Sequence, residues 1–550
     1  MSHFNDIEMK KIYILFLSIS VLPSCTSLLE EDVRSQITDN YLNTSEGLES
    51  AVNAAYSHIR HFYGSEQGGA LTVFGTDEFT NGYGGSFMDF NFYNNGLNAR
   101  TSLVDHLWST MYVGINNCNA IISRADRVTD MDEAKKAIRV GEAKYLRAFY
   151  YFLLVQTFGP VHLTLEESQG VVVEASRTPV NEVYDAIIAD LDYAVANLPP
   201  VADHYGRATR PAAEFLLAKV YLTRAGSEFA KTDDYQRAAN LSINVIDDYN
   251  FALLDDFAKI FEEGSAEINP EVVWSVQYSD DLLTTGDGNR AHMYFLAEYD
   301  RLPGMKRDIE NGRPWVRFKP TLYTIMDLFD RDADSRYEAS FKFVFYCNNP
   351  GKFTIRGKTV TLELGDTAIW VADRIVTPEE LEHCNYSVYD PTSYNERIYP
   401  TLTKFLDPTR VALQETRGSR DFLVFRLAEA YLNAAEALVM SGRAAEAVPY
   451  VNAIRTRAAK EGAEAAMQVT ADMLDIDFLL EERSRELLGE YTRWFDLART
   501  GKLVERVKKY NPDGAAGIKA HHRYRPIPQT QIDRTEGGAT AFPQNSGYEN

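Results

Sequence analysis

The chain has 550 residues, of which 45% are hydrophobic, so it is long and apolar enough to bury a substantial core. Its 79 Asp and Glu outnumber its 56 Lys and Arg, and the formal net charge is −23. That charge argues against nucleic acid as a partner, because a phosphate backbone would be repelled, and it is compatible with neutral ligands such as sugars.

The N-terminus has the pattern of a secretory signal. Lys10 and Lys11 precede an apolar run at residues 12–22. This run is too short to span a bilayer, and a positive region followed by a short apolar core is typical of a cleaved signal peptide. We therefore predict a signal peptide at residues 1–24, with translation beginning at either Met1 or Met9.

The end of this segment, Leu22-Pro23-Ser24-Cys25, resembles a bacterial lipobox, with Pro23 as the departure from the usual pattern. The resemblance implies that Cys25 is lipidated and that cleavage occurs before it. Several acyl chains would anchor the protein stably, since each buried methylene contributes about 0.8 kcal/mol. A tether at residues 25–43 would follow.

Helical patterns dominate residues 44–250, beginning with a capped segment at residues 44–60. Residues 61–100 differ, because they are rich in Gly, Asn and aromatic residues, which is typical of a long loop. Loops of this length inside compact proteins are usually functional. We predict that residues 61–100 form a ligand loop.

Three segments share a Leu and a Tyr four positions apart, and each is followed by a second amphipathic segment. The pairs are Leu146 with Tyr150, Leu217 with Tyr221 and Leu427 with Tyr431. This pattern predicts a mostly α fold with about four tetratricopeptide-like helix pairs. From the spacing alone, plain helical packing remains an equal alternative.

Residues 251–420 have a different pattern, in which short β-like pieces such as 271–276 and 353–355 alternate with turns. We predict an irregular insertion with short strands and loops that packs onto the helical part. A disulfide between Cys347 and Cys384 is one open possibility.

The C-terminal region, residues 421–550, contains the most informative stretch of the chain. Within residues 479–501 the apolar residues recur at helical spacing, and they are Leu480, Leu487, Tyr491, Trp494 and Ala498. This spacing predicts one amphipathic helix that ends near Gly501. Glu481–Arg485 and Glu490–Arg493 would then be opposite charges that meet on the helix surface.

The order of residues is more specific than their spacing. Residues 482–503, ERSRELLGEYTRWFDLARTGKL, closely resemble the C-terminal signature of the SusD/RagB family. FRLAEAYLNAAEA at 425–437 and HRYRPIPQTQID at 522–533 resemble two further family segments. QNSGY at 544–548 is similar to the usual QNPGY ending, with Ser546 in place of Pro.

Members of this family are surface lipoproteins of Bacteroidetes that capture nutrients, usually glycans, for a transporter. The resemblance implies non-catalytic capture of an oligosaccharide at the cell surface, with no cofactor. It also implies lipid anchoring in the outer membrane and a SusC-like TonB-dependent transporter as the partner. Two alternatives remain open, namely a surface glycan hydrolase and a helical-repeat scaffold that binds peptides or proteins.

Motifs for other chemistry are missing, since the sequence has no HExxH, Walker A or GxGxxG pattern. Asp330, Asp332 and Asp334 alternate as in an EF-hand, but Ser335 stands where Gly is needed and Phe341 where a Glu is needed. We reject an EF-hand there, and calcium binding of another kind stays open.

Sugar rings have apolar faces edged with hydroxyl groups, so aromatic rings and polar side chains on loops are the candidates for ligand contact. For each aromatic candidate, packing or transporter contact is the alternative. The predicted ligand-binding residues are Phe74, Asp77, Tyr83, Phe90, Tyr93, Asn94, Tyr294, Arg313 and Trp315.

Overall fold

The structure is a computed structural model that describes residues 41–281 and 283–548. The predicted signal peptide, Cys25 and most of the predicted tether lie outside the described residues. None of the described helices combines the length and the apolarity that a bilayer span needs.

Helices form most of the N-terminal half. They are α1 (Ser45–Ser57), α2 (Glu66–Thr72), α3 (Asp89–Phe92), α4 (Ser102–Arg124), α5 (Glu133–Phe158), α6 (Val180–Asn197), α7 (Arg210–Ala225) and α8 (Asp234–Asp247). Helices α4 to α8 pack in chain order, each against the next, and α1 packs on α4. This order is typical of helical repeats, in which each helix contacts mainly its neighbours.

Helices return in the C-terminal half. They are α9 (Leu322–Met326), α10 (Arg336–Ser340), α11 (Pro378–His383), α12 (Leu427–Met440), α13 (Ala444–Ala458), α14 (Glu464–Met467), α15 (Ile476–Leu487), α16 (Arg493–Arg499), α17 (Leu503–Tyr510), α18 (Pro512–Ala515) and α19 (Gln529–Arg534). Helix α12 packs against both α8 and α13, so the array continues across the insertion.

The prediction of a mostly α fold with tetratricopeptide-like helix pairs is confirmed. The three Leu–Tyr segments lie on α5, α7 and α12, and their partners are α6, α8 and α13. Buried ion pairs join two of these pairs: Arg147 on α5 contacts Asp190 on α6 at 2.7 Å, and Arg224 on α7 contacts Asp234 on α8 at 2.6 Å. Helices α1 and α4 form a further pair at the N-terminal end.

The strands are short. They are β1 (Phe79–Asn81), β2 (Val272–Val276), β3 (Phe318–Pro320), β4 (Phe341–Lys342), β5 (Val344–Tyr346), β6 (Gly351–Ile355), β7 (Lys358–Leu362), β8 (Thr367–Val371), β9 (Ser387–Tyr389), β10 (Thr401–Leu402) and β11 (Phe422–Arg426). Both β-like pieces noted in the sequence are strands, β2 and part of β6.

Sheet pairing joins the insertion to the helical part at two places. Strand β3 pairs antiparallel with β1, and β2 pairs antiparallel with β11, which leads directly into α12. Within the insertion, β5, β8 and β9 form one sheet around a separate small core, and β6 and β7 form a hairpin. Cys347 and Cys384 are separate thiols, so the disulfide considered between them is not formed.

The prediction that residues 61–100 form one long loop is wrong. This segment contains α2, β1 and α3, and residues 68–82 are buried without interruption. The physical reason is that C-terminal side chains bind its backbone. The Asn511 side chain, for example, donates to the Thr76 carbonyl at 2.9 Å and to the Asn91 side chain at 2.9 Å.

The prediction of a single helix across residues 479–501 is also wrong. Helix α15 ends at Leu487, and α16 begins at Arg493. Between them Gly489 and Tyr491 have left-handed backbone angles, with φ of 77° and 61°. Glu490 does not meet Arg493 on a surface, because it is buried against Lys404 and Arg426 instead.

Buried charges link these parts of the chain. Glu486 on α15 accepts hydrogen bonds from Arg336 of the insertion at 2.9 Å, from Arg426 of β11 at 2.6 Å and from Arg457 of α13. The Glu486 side chain is fully buried. The three guanidinium groups outweigh the effect of burial and lower the pKa of Glu486. It is therefore ionised, and each arginine depends on it for charge compensation.

Replacing Glu486 with Gln should destabilise the protein strongly. The substitution leaves three buried arginines without part of their compensation, and breaking a buried pair typically costs about 3–5 kcal/mol. Chemical denaturation followed by circular dichroism measures the change. Glu446→Gln is the matched control, because Glu446 makes an exposed pair with Arg443 and such pairs contribute little. Equal midpoints for the two variants would contradict this prediction.

Candidate functional site

A surface groove of about 350 Å³ lies where the end of α1, the start of α2, residues 284–294 and Trp315 meet. Its walls combine aromatic rings with charged and amide side chains, as pockets for polar ligands do. The lining side chains that carry this chemistry are Arg60, His61, Glu66, Gln67, His106, Tyr278, Asp287, Arg290, Tyr294 and Trp315.

Trp315 forms an aromatic wall of this groove. Its indole is half-buried, and its ring centroid lies 5.9 Å from that of Tyr294, which is buried beneath it. Its backbone N–H donates to the Met293 carbonyl at 3.0 Å. The next residue, Val316, has φ of 56°, a conformation that a β-branched residue rarely adopts. Such strain is concentrated at functional sites, and here it fixes the chain that presents Trp315.

Two ion pairs lie beside the tryptophan. Glu66, the first residue of α2, contacts Arg317 at 2.7 Å, and burial raises the pKa of Glu66 despite this contact. Arg290 contacts Asp287 at 3.1 Å at the outer edge of the groove. The groove therefore offers hydrogen-bonding groups whose charges are largely compensated within each pair.

A histidine cluster closes one end of the groove. The rings of His61 and His106 lie 5.5 Å apart edge to face, and His58 stacks on His61 at 6.4 Å. Burial lowers the pKa of all three below its ordinary value of 6.5, so they are neutral at pH 7. Neutral imidazoles present both a donor and an acceptor to a ligand.

Of the predicted ligand-binding residues, the structure brings Trp315 and Tyr294 together in this groove. The prediction is corrected for four others, because their side chains are already used by the core. Phe74 and Phe90 are fully buried, and the Tyr93 hydroxyl donates to the Gly75 carbonyl at 2.7 Å in the interior. Asp77 is fully buried in an ion pair with Arg493.

Three predicted residues lie outside the groove lining. Tyr83 is 54% exposed and is stacked against the Arg397 guanidinium. Arg313 donates to the Gln414 carbonyl at 2.6 Å. The Asn94 side chain accepts the Gly96 backbone N–H at 2.7 Å and so shapes a turn.

Sequence reasoning missed most of the polar lining. Arg60 is the last residue of the predicted first helix and His61 follows it, and Glu66 lies in the segment that was predicted to carry function. A weak signal for Asp287 and Arg290 was the Gly-rich turn around them. No local pattern relates these segments to Trp315, because they are joined only by the tertiary fold.

Comparison with known proteins decides the family. A family model described as "SusD family" matches residues 270–548, and a second, described as "Starch-binding associating with outer membrane", matches residues 29–222. The chain belongs to the SusD family. It is 27% identical to SusD-like protein P2 of Formosa agariphila over 98% of this chain and 100% of the relative.

A further relative and a solved structure are also similar to this chain. Starch-binding protein SusD of Bacteroides thetaiotaomicron is 23% identical over 77% of this chain and 75% of its own length. A solved structure titled "Laminarin binding SusD-like protein" superposes with a TM-score of 0.70 at 25% identity, covering 92% of this chain and 100% of that one.

In this SusD-family chain, arginines on α16 and α17 hold the acidic pair Asp77–Glu78 inside the core. Burial would raise the pKa of Asp77, but Arg493 and Arg506 outweigh it and lower that pKa to about 2. Burial and the neighbouring Asp77 raise the pKa of Glu78 to about 7. Glu78 accepts a hydrogen bond from the Ser484 hydroxyl at 2.8 Å. The pair is structural and does not line the groove.

Replacing Glu78 with Gln should change how stability depends on pH. With a folded pKa of about 7 against an ordinary 4.5, Glu78 contributes fully only below pH 4.5, and that contribution is lost as the pH rises through 7. The variant lacks this loss, so its stability relative to wild type should rise between about pH 5 and about pH 8. Chemical denaturation at both pH values measures this relative stability. Glu382→Gln is the control, because Glu382 is exposed. Parallel pH profiles for wild type and Glu78→Gln would disprove the assignment.

Proposed function

We propose that this SusD-family protein captures an oligosaccharide in the groove at Trp315 without cleaving it, and delivers it to a SusC-like TonB-dependent transporter. The observation that carries the proposal is the partly exposed indole of Trp315, backed by Tyr294 and presented by the strained Val316. An aromatic face of this kind stacks on the apolar face of a sugar ring.

Polar groups around the indole fit the rim of a sugar. Gln67 supplies an amide, Glu66 and Arg290 supply charged acceptors and donors, and His61 supplies a neutral imidazole. Relatives point the same way, since two of them are named for binding starch and laminarin. Neutral glucans of these two kinds are therefore the first probes to use.

Several features favour binding over hydrolysis. The adjacent acids Asp77 and Glu78 are buried away from the groove. The groove carboxylates of Glu66 and Asp287 are each engaged by an arginine. Canonical glycoside hydrolysis uses two carboxyl groups that flank the scissile bond, one of them free to give up a proton. The relatives named above carry binding names as well.

Trp315→Ala should weaken oligosaccharide binding strongly. Truncating a central aromatic anchor costs on the order of 2 kcal/mol, about thirtyfold in affinity. Calorimetric titration with starch and laminarin oligosaccharides measures the loss, and the glycan recovered from the wild-type titration should show no new reducing ends. Trp370→Ala is the matched control, because Trp370 is also half-buried but lies on β8 outside the groove.

Thermal melting of the same variants separates binding from folding. The indole is partly exposed at the groove wall, so Trp315→Ala should lower the melting temperature less than truncation of a core tryptophan does. Unchanged affinity in this variant, or a stability loss of about 3–5 kcal/mol as for a core tryptophan, would remove Trp315 from the proposed site.

The N-terminal sequence and the family both bear on where in the cell the protein is anchored. We propose that lipidation of Cys25 anchors the protein in the outer membrane, facing the cell surface. The lipobox-like residues Leu22 to Cys25 motivate this, and one matched family model is described as associating with the outer membrane. A surface anchor would keep the groove close to the transporter that receives the ligand.

Cys25→Ala should move the protein from the membrane fraction to the soluble fraction. The reason is the loss of the acyl chains, each of whose methylenes contributes about 0.8 kcal/mol of membrane affinity. Fractionation together with palmitate labelling measures the change. Cys384→Ala, at a cysteine that forms no disulfide, is the control. If Cys25→Ala stays membrane-bound and labelled, the anchor proposal fails.

A further inference from the structure

A second groove, of about 560 Å³, borders the groove at Trp315. It runs between α1, the loop at His204–Arg207 and strand β2. The two grooves share Ser57, Arg60 and Thr284 in their walls. Arg60 therefore stands at the junction of one extended cleft, and a ligand held at Trp315 can continue past it.

Arg60 is fixed at this junction by uncharged partners. Its Nε donates to the Gln277 carbonyl and one terminal nitrogen donates to the Thr284 carbonyl, both at 2.9 Å. Its guanidinium also lies 5.3 Å from the ring centroid of Tyr278. No carboxylate among residues 41–281 and 283–548 forms an ion pair with it. Its other terminal nitrogen makes no hydrogen bond to any described residue and is available to a ligand.

The other charged groups that line the cleft are compensated. In the second groove Arg207 contacts Glu142 at 2.8 Å and Glu49 at 3.3 Å. In the first groove each carboxylate is engaged by an arginine, as described above, and the histidines are neutral at pH 7. Asp421 lies behind Gln277 and accepts from its amide at 2.6 Å, and burial raises the pKa of Asp421 to about 7. Arg60 interacts with Asp421 only at longer range, so among the described residues that line the cleft it is the arginine with no carboxylate in contact.

We propose that the cleft selects an acidic oligosaccharide, whose carboxylate or sulfate group binds Arg60 while a neighbouring sugar stacks on Trp315. This rests on the proposed function and narrows its ligand class. A guanidinium suits the task, because it is planar, always charged and weakly hydrated, and pairs with oxyanions through directed N–H groups. The two carbonyls and the tyrosine ring hold it in place before the ligand arrives, so little side-chain entropy is lost on binding.

The test compares acidic oligosaccharides with their neutral counterparts. The probes are uronate hexasaccharides beside their carboxyl-reduced forms, and sulfated galactan hexasaccharides beside their desulfated forms. We expect at least one acidic probe to bind tenfold or more tighter than its neutral counterpart. Arg60→Gln should abolish that preference, and Arg60→Lys should keep part of it. The acidic class that binds distinguishes a carboxylate from a sulfate.

Arg313→Gln is the matched control. Arg313 also donates to a backbone carbonyl, but it lines neither groove, so this variant should retain the preference. The inference is overturned if no acidic probe is preferred over its neutral form, or if Arg60→Gln weakens both forms equally. Neutral glucan binding that is lost in Trp315→Ala, in a protein that shows no preference for either acidic probe, would overturn the inference alone and leave the proposed function standing.

Discussion

The carboxylate of Glu486 is the contact on which the fold depends most. It binds Arg336 from the insertion, Arg426 from β11 and Arg457 from α13, three segments that are far apart in the sequence. Buried ions are costly unless every partner is in place. The network therefore forms only when the helical array, the insertion and the C-terminal signature are all assembled. It stabilises that one arrangement of the three parts.

The same signature also shapes the groove. Beyond the end of α15 the chain turns through the left-handed Tyr491, whose hydroxyl donates to the Ser65 carbonyl at 2.9 Å. Ser65 caps α2, and a Cβ added at Gly68 would lie 3.1 Å from the Tyr491 ring, which is a tight contact. Because Glu66 is the first residue of α2, the buried signature determines where this groove residue lies. A motif with no ligand contact can thus be essential to a binding site.

Whether a feature could be predicted from the sequence depends on how far apart in the sequence its interacting residues lie. Helical pairs were visible, because the spacing of Leu146 and Tyr150 is a local property of one helix. The break between α15 and α16 was not, since Glu490 looks like a surface charge until Arg426 and Lys404 are known to surround it. For the candidate site, Trp315 was predicted because it is an aromatic residue on a loop. Arg60 was missed, because its role depends on carbonyls more than two hundred residues away.

Net charge and local charge act over different distances in this protein. The formal charge of −23 argues against polyanions as partners at long range, yet at physiological ionic strength such a field is screened beyond roughly 8 Å. Within contact distance the balance is set by individual pairs, and most arginines of the cleft already have carboxylate partners. Arg60 does not, so its effect survives at the point where a ligand touches the protein. Under the proposal made for Arg60, an acidic group on a sugar would meet this guanidinium at contact distance, where individual pairs outweigh the overall charge.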